Sequence, residues 1–456
     1  MFSVSFKNPL NRIHLTGVQI IVIFYLGAAL LGTFLFYLPI FHKDGAEMRL
    51  IDALFTSVSA ISTTGLTVVN TVDTFNVAGT IVLAIFIQFG GIGIMTLGTF
   101  IWMVMGRKIG IKERRLIMID HNRTDLSGLV KLMKAVLKMA FAIEIIGGLL
   151  LGTYLLRYYE YWYEAYYYGF FHSLAAYTNA GFDIFGNSLV NFSNDYVVQI
   201  IMMILLILGA IGFPVLIELR EFIISKKNKR NFRFSLYTKL TTATFFSILI
   251  LGAIGIFLLE KNQYFLDMSW HEKLFYSLFN SVTARNGGFA TMDIAMFGSE
   301  TLFFISILMV IGASPSSAGG GIRTTTFAVV FITLLSFARG NKEVTIFKRR
   351  LYQEDITKSF VVFSAVVMLL AFGIILLETF EHGKFSLMQI IFEISSAFGT
   401  TGLSMGITSS LSDPGKILIT IVMFIGRIGL LSLLLVFRKE EPKPKVTYPT
   451  EKIIIG

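Results

Sequence analysis

Apolar residues run along this chain in long blocks, and the polar residues gather into short stretches between them. Blocks at about 16–41, 77–105, 135–156, 196–219, 240–259, 301–337, 359–378 and 414–437 are each long enough for a helix that crosses a bilayer, which takes about 20 apolar residues. The pattern predicts eight crossings. Between the two blocks of each successive pair lies a shorter apolar helix, at about 51–62 in the first pair. At about a dozen residues it falls short of the roughly 30 Å hydrocarbon core and must enter and leave on one side. The first block is too long for the apolar part of a cleaved signal peptide and is expected to be retained.

Each short helix runs into a loop, and the four loops follow one template. They read Ser59-Ala60-Ile61-Ser62-Thr63-Thr64-Gly65-Leu66, Ala175-Ala176-Tyr177-Thr178-Asn179-Ala180-Gly181-Phe182, Val282-Thr283-Ala284-Arg285-Asn286-Gly287-Gly288-Phe289 and Ser396-Ala397-Phe398-Gly399-Thr400-Thr401-Gly402-Leu403. Two positions before the glycine stands Thr63, Asn179, Asn286 or Thr400, and ten before it Phe55, Phe171, Leu278 or Phe392. The glycines recur roughly every 107 to 116 residues, the mark of an internal repeat. The expected fold is an all-α membrane protein with four pseudo-repeated units around a central pore, each a span, a re-entrant pore helix with its loop, and a second span. The units cover 1–120, 121–235, 236–350 and 351–440, followed by a tail at 441–456.

Non-helical backbone at membrane depth is tolerated only where it is buried in protein or lines a watery cavity. Four such loops around one axis therefore imply a pore whose lining is backbone carbonyl. A lone glycine after an amphipathic helix is often only its C-cap; four copies in register with the same flanks argue for a shared role.

The second spans repeat too, as Gly90-Gly91-Ile92-Gly93, Gly209-Ala210-Ile211-Gly212 and Gly426-Arg427-Ile428-Gly429. The third unit departs, with Gly312-Ala313-Ser314-Pro315-Ser316-Ser317-Ala318-Gly319-Gly320-Gly321 in the same place. Proline and a triple glycine do not propagate a helix, so this span is expected to be the one broken in mid-membrane. The glycine triplets also suit close helix packing.

Composition narrows the class. The chain is 54% hydrophobic and 15% charged, and it has no cysteine, which excludes disulfides and thiolate chemistry. Its six histidines show no ligand spacing, and no Ser/His or His/carboxylate constellation points to an enzyme. The net charge of +10 does not mark a nucleic-acid binder, because the basic residues form clusters between spans. These are Arg107, Lys108, Lys112, Arg114 and Arg115; Arg220, Lys226, Lys227, Lys229, Arg230, Arg233 and Lys239; Arg339, Lys342, Lys348, Arg349 and Arg350; and Arg438, Lys439, Lys443 and Lys445. Asp44, Glu47, Asp52, Glu160, Glu164, Glu260, Asp267, Glu272, Glu378 and Glu381 occupy the alternate connections. By the positive-inside rule the basic set and both termini are cytoplasmic. The aromatic stretch from Tyr158 to Tyr168 fits a membrane-interface belt.

With four loops, a Gly-rich break and Gly426-Arg427-Ile428-Gly429, nearly the whole chain resembles the Trk/Ktr/HKT superfamily of potassium transporters, and within it the pore-forming membrane subunits of bacterial Ktr systems. The resemblance implies a plasma-membrane homodimer with one pore per subunit and a cytosolic ring of nucleotide-binding, KtrA/KtrC-like regulatory subunits. It further implies potassium uptake, often sodium-dependent, with K+ the transported ion, Na+ a candidate activator and no cofactor in this chain. In plant relatives a serine at the first filter glycine goes with sodium selectivity, and all four positions here are glycine.

Carbonyl rings can replace the hydration shell of a potassium ion. The filter is accordingly assigned to Thr63, Thr64, Gly65, Asn179, Ala180, Gly181, Asn286, Gly287, Gly288, Thr400, Thr401 and Gly402. The resemblance further implies a gate below the filter, at Gly312, Ser314, Ser316, Ser317, Gly319, Gly320, Gly321 and Arg427. A charge in an apolar span costs about 2.5–3.5 kcal/mol on insertion scales, so Arg427 needs a partner, for which the freed carbonyls of 312–321 are candidates. Arg285 is expected to turn from the axis and pair with an acid. Glu393 serves either the vestibule or a structural hydrogen bond, Glu144 faces the cytoplasmic half or a neighbour, and Arg323 is an anchor or part of the gate. The competing class is an alternating-access cation symporter, although such transporters usually use discontinuous helices in two halves.

Overall fold

The computed structural model describes residues 16–93, 96–97, 129–228, 231–341, 343–436, 449, 451, 453 and 454. The basic cluster at 107–115, Lys229, Arg230, Lys342, the cluster from Arg438 to Lys445 and most of the tail at 441–456 lie outside the described residues.

Helices are numbered in chain order. Among the described residues four are long and apolar enough to cross a membrane: α1 (Gly17–Tyr37), α4 (Leu129–Leu155), α8 (Leu236–Glu260) and α12 (Gln353–Glu381). Each opens a unit. α1 is started by a capping box in which Thr16 and Gln19 satisfy each other's backbone N–H groups, and α8 by the Ser235 side chain. Side chains such as Leu30 and Met368 remain 65% and 71% exposed on these helices, the surface a lipid-facing span requires.

The half helices are α2 (Leu50–Ser62), α5 (Trp162–Tyr177), α9 (Trp270–Thr283) and α13 (Leu387–Gly399), of 13, 16, 14 and 13 residues. At 1.5 Å per residue they reach about 20–24 Å, short of a crossing. Capping boxes at Ser269/Glu272 and Ser386/Gln389 start the last two. Tyr161 and Trp162 are exposed where the second unit turns into its half helix, in keeping with an interfacial belt.

First span and half helix are joined by a repeated contact. The hydroxyls of Ser57, Ser173 and Ser281 donate to the carbonyls of Ala29, Glu144 and Leu249 at 2.7, 2.8 and 2.6 Å. Gly32, Gly147 and Gly252 lie three residues beyond those carbonyls, each so close to the same serine that a Cβ would collide with it. In the fourth unit Ile394 takes the serine's place against Gly373 and the contact is apolar.

The second helices, α3 (Val77–Ile92), α6 (Tyr196–Ala210), α10 (Ser299–Val310) and α14 (Asp413–Ile428), correct the sequence reading. The third was expected to be the interrupted one, yet the helix ends at a break in all four units. In units one, two and four the last glycine of the triplet turns the chain, with φ of 97° at Gly93, 99° at Gly212 and 86° at Gly429. A left-handed φ is open to glycine and ends the helical ladder. After a bend of 103° α6 continues as α7 (Phe213–Lys227), and after a bend of 94° α14 continues as α15 (Leu430–Val436). α10 instead gives way to an irregular loop before α11 (Thr324–Ala338). The triplets also pack: Gly90, Gly209 and Gly426 meet the carbonyls of Ile61, Tyr177 and Phe398, each four residues before a loop glycine.

Candidate functional site

The half helices end in a way the sequence did not disclose. In units one, two and four the N–H groups of Thr64, Ala180 and Thr401 return to the carbonyls of Ser59, Ala175 and Ser396 at 2.9, 2.8 and 2.9 Å. The N–H groups of Thr63, Asn179 and Thr400 return to Ala60, Ala176 and Ala397. This pairing closes a helix around a left-handed residue, usually glycine. Here that residue is Thr63, Asn179 or Thr400, at φ of 52°, 53° and 50°, and Asn286 matches them at 71° in the third unit. Left-handed backbone costs a side-chain-bearing residue about 1–2 kcal/mol, so four copies mark a conformation that the surroundings enforce.

The glycines are thereby released from capping. Gly65, Gly181, Gly288 and Gly402 lie two residues further on, again at positive φ of 88°, 67°, 75° and 87°. They face one another in a closed circuit. Gly65 lies against the Ala180 carbonyl and Gly181, Gly181 against Gly287 and Gly288, Gly288 against the Thr401 carbonyl, and Gly402 against the Thr64 carbonyl and Gly65. A Cβ on Gly65 would sit 2.8 Å from the Gly181 Cα, and one on Gly288 2.6 Å from the Thr401 carbonyl oxygen. No side chain fits without spreading the ring.

Polar groups behind the ring hold it. Ser59 Oγ accepts from the Gly65 N–H at 3.1 Å and donates to the Leu66 carbonyl at 2.7 Å, and Ser396 Oγ accepts from the Gly402 N–H at 3.1 Å. In the third unit Thr283 donates to the Phe289 carbonyl at 2.7 Å. The second unit uses His172, which sequence reasoning passed over. Its Nδ1 bonds to the Tyr168 carbonyl at 2.7 Å, which makes that nitrogen the donor, and its Nε2 accepts from the Ile184 N–H at 3.3 Å. The ring also stacks on Phe185, with centroids 3.7 Å apart.

Thr63 and Thr400, two before their glycines, reach down to the third-unit loop, and Asn286 joins Thr400 there. Thr63 Oγ1 donates to the Ala318 carbonyl at 2.9 Å, Thr400 Oγ1 accepts from the Gly320 N–H at 2.8 Å, and Asn286 Nδ2 donates to Thr400 Oγ1 at 3.1 Å. The loop is pinned elsewhere as well. Ser314 and Ala318 N–H groups donate to the Ala210 and Gly209 carbonyls at the break of α6. Arg427, 7% exposed, donates to the Ala318 carbonyl, to the Gly90 carbonyl and, at 3.2 Å, to Thr63 Oγ1. One guanidinium thus joins the fourth unit, the first unit and the loop. Arg323 donates to the Gly319 carbonyl, which places it at the loop. Arg285 turns from the axis but meets no acid among the described residues; it donates to the Gly312 carbonyl at 2.8 Å and lies over the Phe245 ring at 5.1 Å.

Two chambers flank this layer. One, of about 460 Å³, is lined by the four glycines together with Thr67, Asn70, Asp183, Ser188 and Ser404. The other, of about 150 Å³, lies beyond the loop and is lined by Pro315, Ser316, Arg323 and Arg427 among others. The first carries a carboxylate and the second two guanidinium groups. Burial pushes the Asp183 carboxyl above its usual range, and the N–H groups of Ser188 and Gly186 offset only part of this. Glu393 accepts from Ser404 at 2.8 Å and from Thr408, bracing the loop after Gly402, and Glu144 accepts from Gln88 Nε2 at 2.9 Å.

A bundle of apolar spans enclosing four re-entrant helices, whose loops meet in a ring between two polar chambers, defines a multi-pass membrane protein of the pore-forming class. The chain belongs to the TrkH family of cation transport proteins, whose model matches residues 10–448. It is 55% identical over 442 residues to the Ktr system potassium uptake protein D of Bacillus subtilis (strain 168), covering 97% of this chain and 98% of that one. The Ktr system potassium uptake protein B of the same organism is 35% identical over 446 residues, with 97% and 98% covered. The crystal structure of the potassium transporter TrkH from Vibrio parahaemolyticus shares the fold, with a TM-score of 0.74 at 20% identity over 94% of this chain and 87% of that one.

Replacing Arg427 with Met should take its donor from the Gly90 carbonyl and leave the Ala318 carbonyl with Thr63 Oγ1 alone. The expected result is a loss of about 2–3 kcal/mol of stability in detergent and faster amide exchange at 318–320; unchanged exchange there would separate Arg427 from the loop.

Proposed function

We propose that this protein takes up potassium as the ion-translocating subunit of a Ktr-type system, with Thr63 to Gly65, Asn179 to Gly181, Asn286 to Gly288 and Thr400 to Gly402 as its selectivity filter. The closed circuit of glycines and carbonyls is the observation that carries this reading. A potassium ion entering such a ring exchanges water oxygens for carbonyl oxygens held in place by Ser59, Ser396, Thr283 and His172. The chemistry is ion coordination and no covalent step is required.

The loop 312–321 with Arg427 acts as the gate. It closes the passage beneath the ring, and its positive partner opposes a cation there until the loop moves. The acidic connections face outward and the basic ones inward, which puts both termini in the cytoplasm and lets the membrane potential drive entry at about 2.3 kcal/mol per charge per 100 mV. The protein works as a homodimer in the plasma membrane under a cytosolic nucleotide-binding ring, and sodium stimulates uptake. Both curated relatives named above are potassium uptake proteins of Ktr systems, which supports the choice of ion and of partner. Four equivalent re-entrant loops favour a pore over an alternating-access symporter.

In a strain lacking its own potassium uptake, tracer flux measures the filter. A side chain at Gly402 or Gly65 would collide with the Thr64 or Ala180 carbonyl and spread the ring, so Gly402→Ser or Gly65→Ser should lower potassium over sodium discrimination; an unchanged ratio sinks the filter assignment. Arg427→Ala, or deletion within 314–320, should raise flux severalfold in correctly inserted protein, whereas equal or lower flux argues against a barrier. Asp183, with its raised pKa, takes up a proton as the outer solution is acidified from neutrality, before an ordinary carboxyl does. Uptake at limiting potassium should then fall, by up to about tenfold, and Asp183→Asn should show the low rate at every pH. An unaltered pH profile in that variant removes Asp183 from the entry path.

A further inference from the structure

The basic segment that follows the second unit is tied to the third-unit loop at both ends. α7 begins at Phe213, whose N–H donates to the Ser316 carbonyl at 2.8 Å. Where α8 begins, the Tyr237 hydroxyl donates to the Pro315 carbonyl at 2.7 Å. Gly212 lies against the same stretch, so that a Cβ there would come 2.8 Å from the Pro315 oxygen. Two consecutive carbonyls of the loop are therefore gripped by the two ends of one hairpin.

The residues between those ends have the chemistry of a bilayer surface. α7 leaves α6 at 103°, so with α6 near the membrane normal it runs almost in the bilayer plane. Leu219, Ile223 and Ile224 are 44%, 60% and 47% exposed beside exposed Arg220, Lys226 and Lys227. Leu219 and Ile223, one turn apart, form an aliphatic row that is unfavourable in water; at the interface it enters the acyl region while the flanking basic side chains extend to the headgroups. Phe222, Phe232 and Phe234 cluster with centroids 5.2 to 6.0 Å apart and fold the chain back, and the Glu218 carboxylate accepts from the Ser235 N–H at 3.0 Å. The segment 213–239 contains seven basic residues against two acidic ones.

We propose that this corner binds anionic phospholipid headgroups, and that bound lipid steadies the third-unit loop through Phe213 and Tyr237, lowering basal flux. An acidic protein would satisfy the charges and leave the aliphatic row uncovered, which favours lipid. The effect on flux rests on reading 312–321 as the gate, while the lipid binding does not.

The test uses the full chain in phosphatidylcholine vesicles with and without phosphatidylglycerol. Association of spin-labelled phosphatidylglycerol against spin-labelled phosphatidylcholine is read independently of transport. Phosphatidylglycerol should be preferred, less so at high salt. The preference should weaken by about fivefold for each residue neutralised among Arg220→Gln, Lys226→Gln, Lys227→Gln and Arg233→Gln. Tracer flux should be lower in vesicles that contain phosphatidylglycerol, and Tyr237→Phe should keep the lipid preference while losing this dependence. Equal association of the two lipids, or a preference untouched by salt and by the four substitutions, overturns the lipid site whatever the flux does. A lipid effect on flux that persists in Tyr237→Phe overturns the coupling. If neutralisation spares lipid association and abolishes capture of an acidic cytosolic partner, the corner is a protein dock and the proposal falls.

Discussion

Every peptide group at membrane depth must find a partner inside the protein, because the hydrocarbon offers none and an unmet N–H or carbonyl costs several kcal/mol. The ring is in tension with that rule, since the Thr64, Ala180, Gly287 and Thr401 carbonyls gathered beside its glycines lie outside helix and sheet. The fold resolves the tension locally. The amide hydrogens beside the ring are taken by Ser59 and Ser396, and that of Ile184 by His172, so the neighbouring carbonyls are left for the axis. The strain of four left-handed polar residues is the counterpart, and it is sustained because half helix, loop and second helix meet at one place in each unit.

The same rule accounts for the departure of the third unit. A loop of irregular backbone lies under the ring, and its carbonyls are met by arginines from three directions: Arg427 at Ala318, Arg323 at Gly319 and Arg285 at Gly312. A guanidinium suits this work because it offers several fixed donors and stays charged when buried. All four units close the ring and the third also supplies the floor beneath it, and the chambers differ accordingly, with Asp183 on one side of the ring and Arg323 and Arg427 beyond the loop. The hairpin that starts at α7 is joined to that floor at both of its ends.

Much of this was legible in the chain. Long apolar blocks, four short apolar helices and a template repeated four times required re-entrant loops around an axis, because length and hydropathy are one-dimensional properties that the bilayer reads directly. The glycines of the ring and the break at 312–321 could be named for the same reason: a residue without a side chain, or a proline among glycines, has the same meaning wherever it stands. Three other features belonged to tertiary structure alone. That Thr63, Asn179 and Thr400 cap the helices in left-handed backbone, which Asn286 shares, depends on the ring that forces them there. That the second helices of units one, two and four stop where they do depends on a turn which one glycine permits but does not require, and the same triplets could have served as continuous packing faces. Partners were the least accessible. Arg427 and Thr63 stand far apart in the chain, Arg285 chose a carbonyl and a ring over an acid, and His172 took the part of a serine. Periodicity and composition determine which segments must be buried; which polar groups then face one another is set by the packing of four units, whose contacts join residues that no local pattern relates.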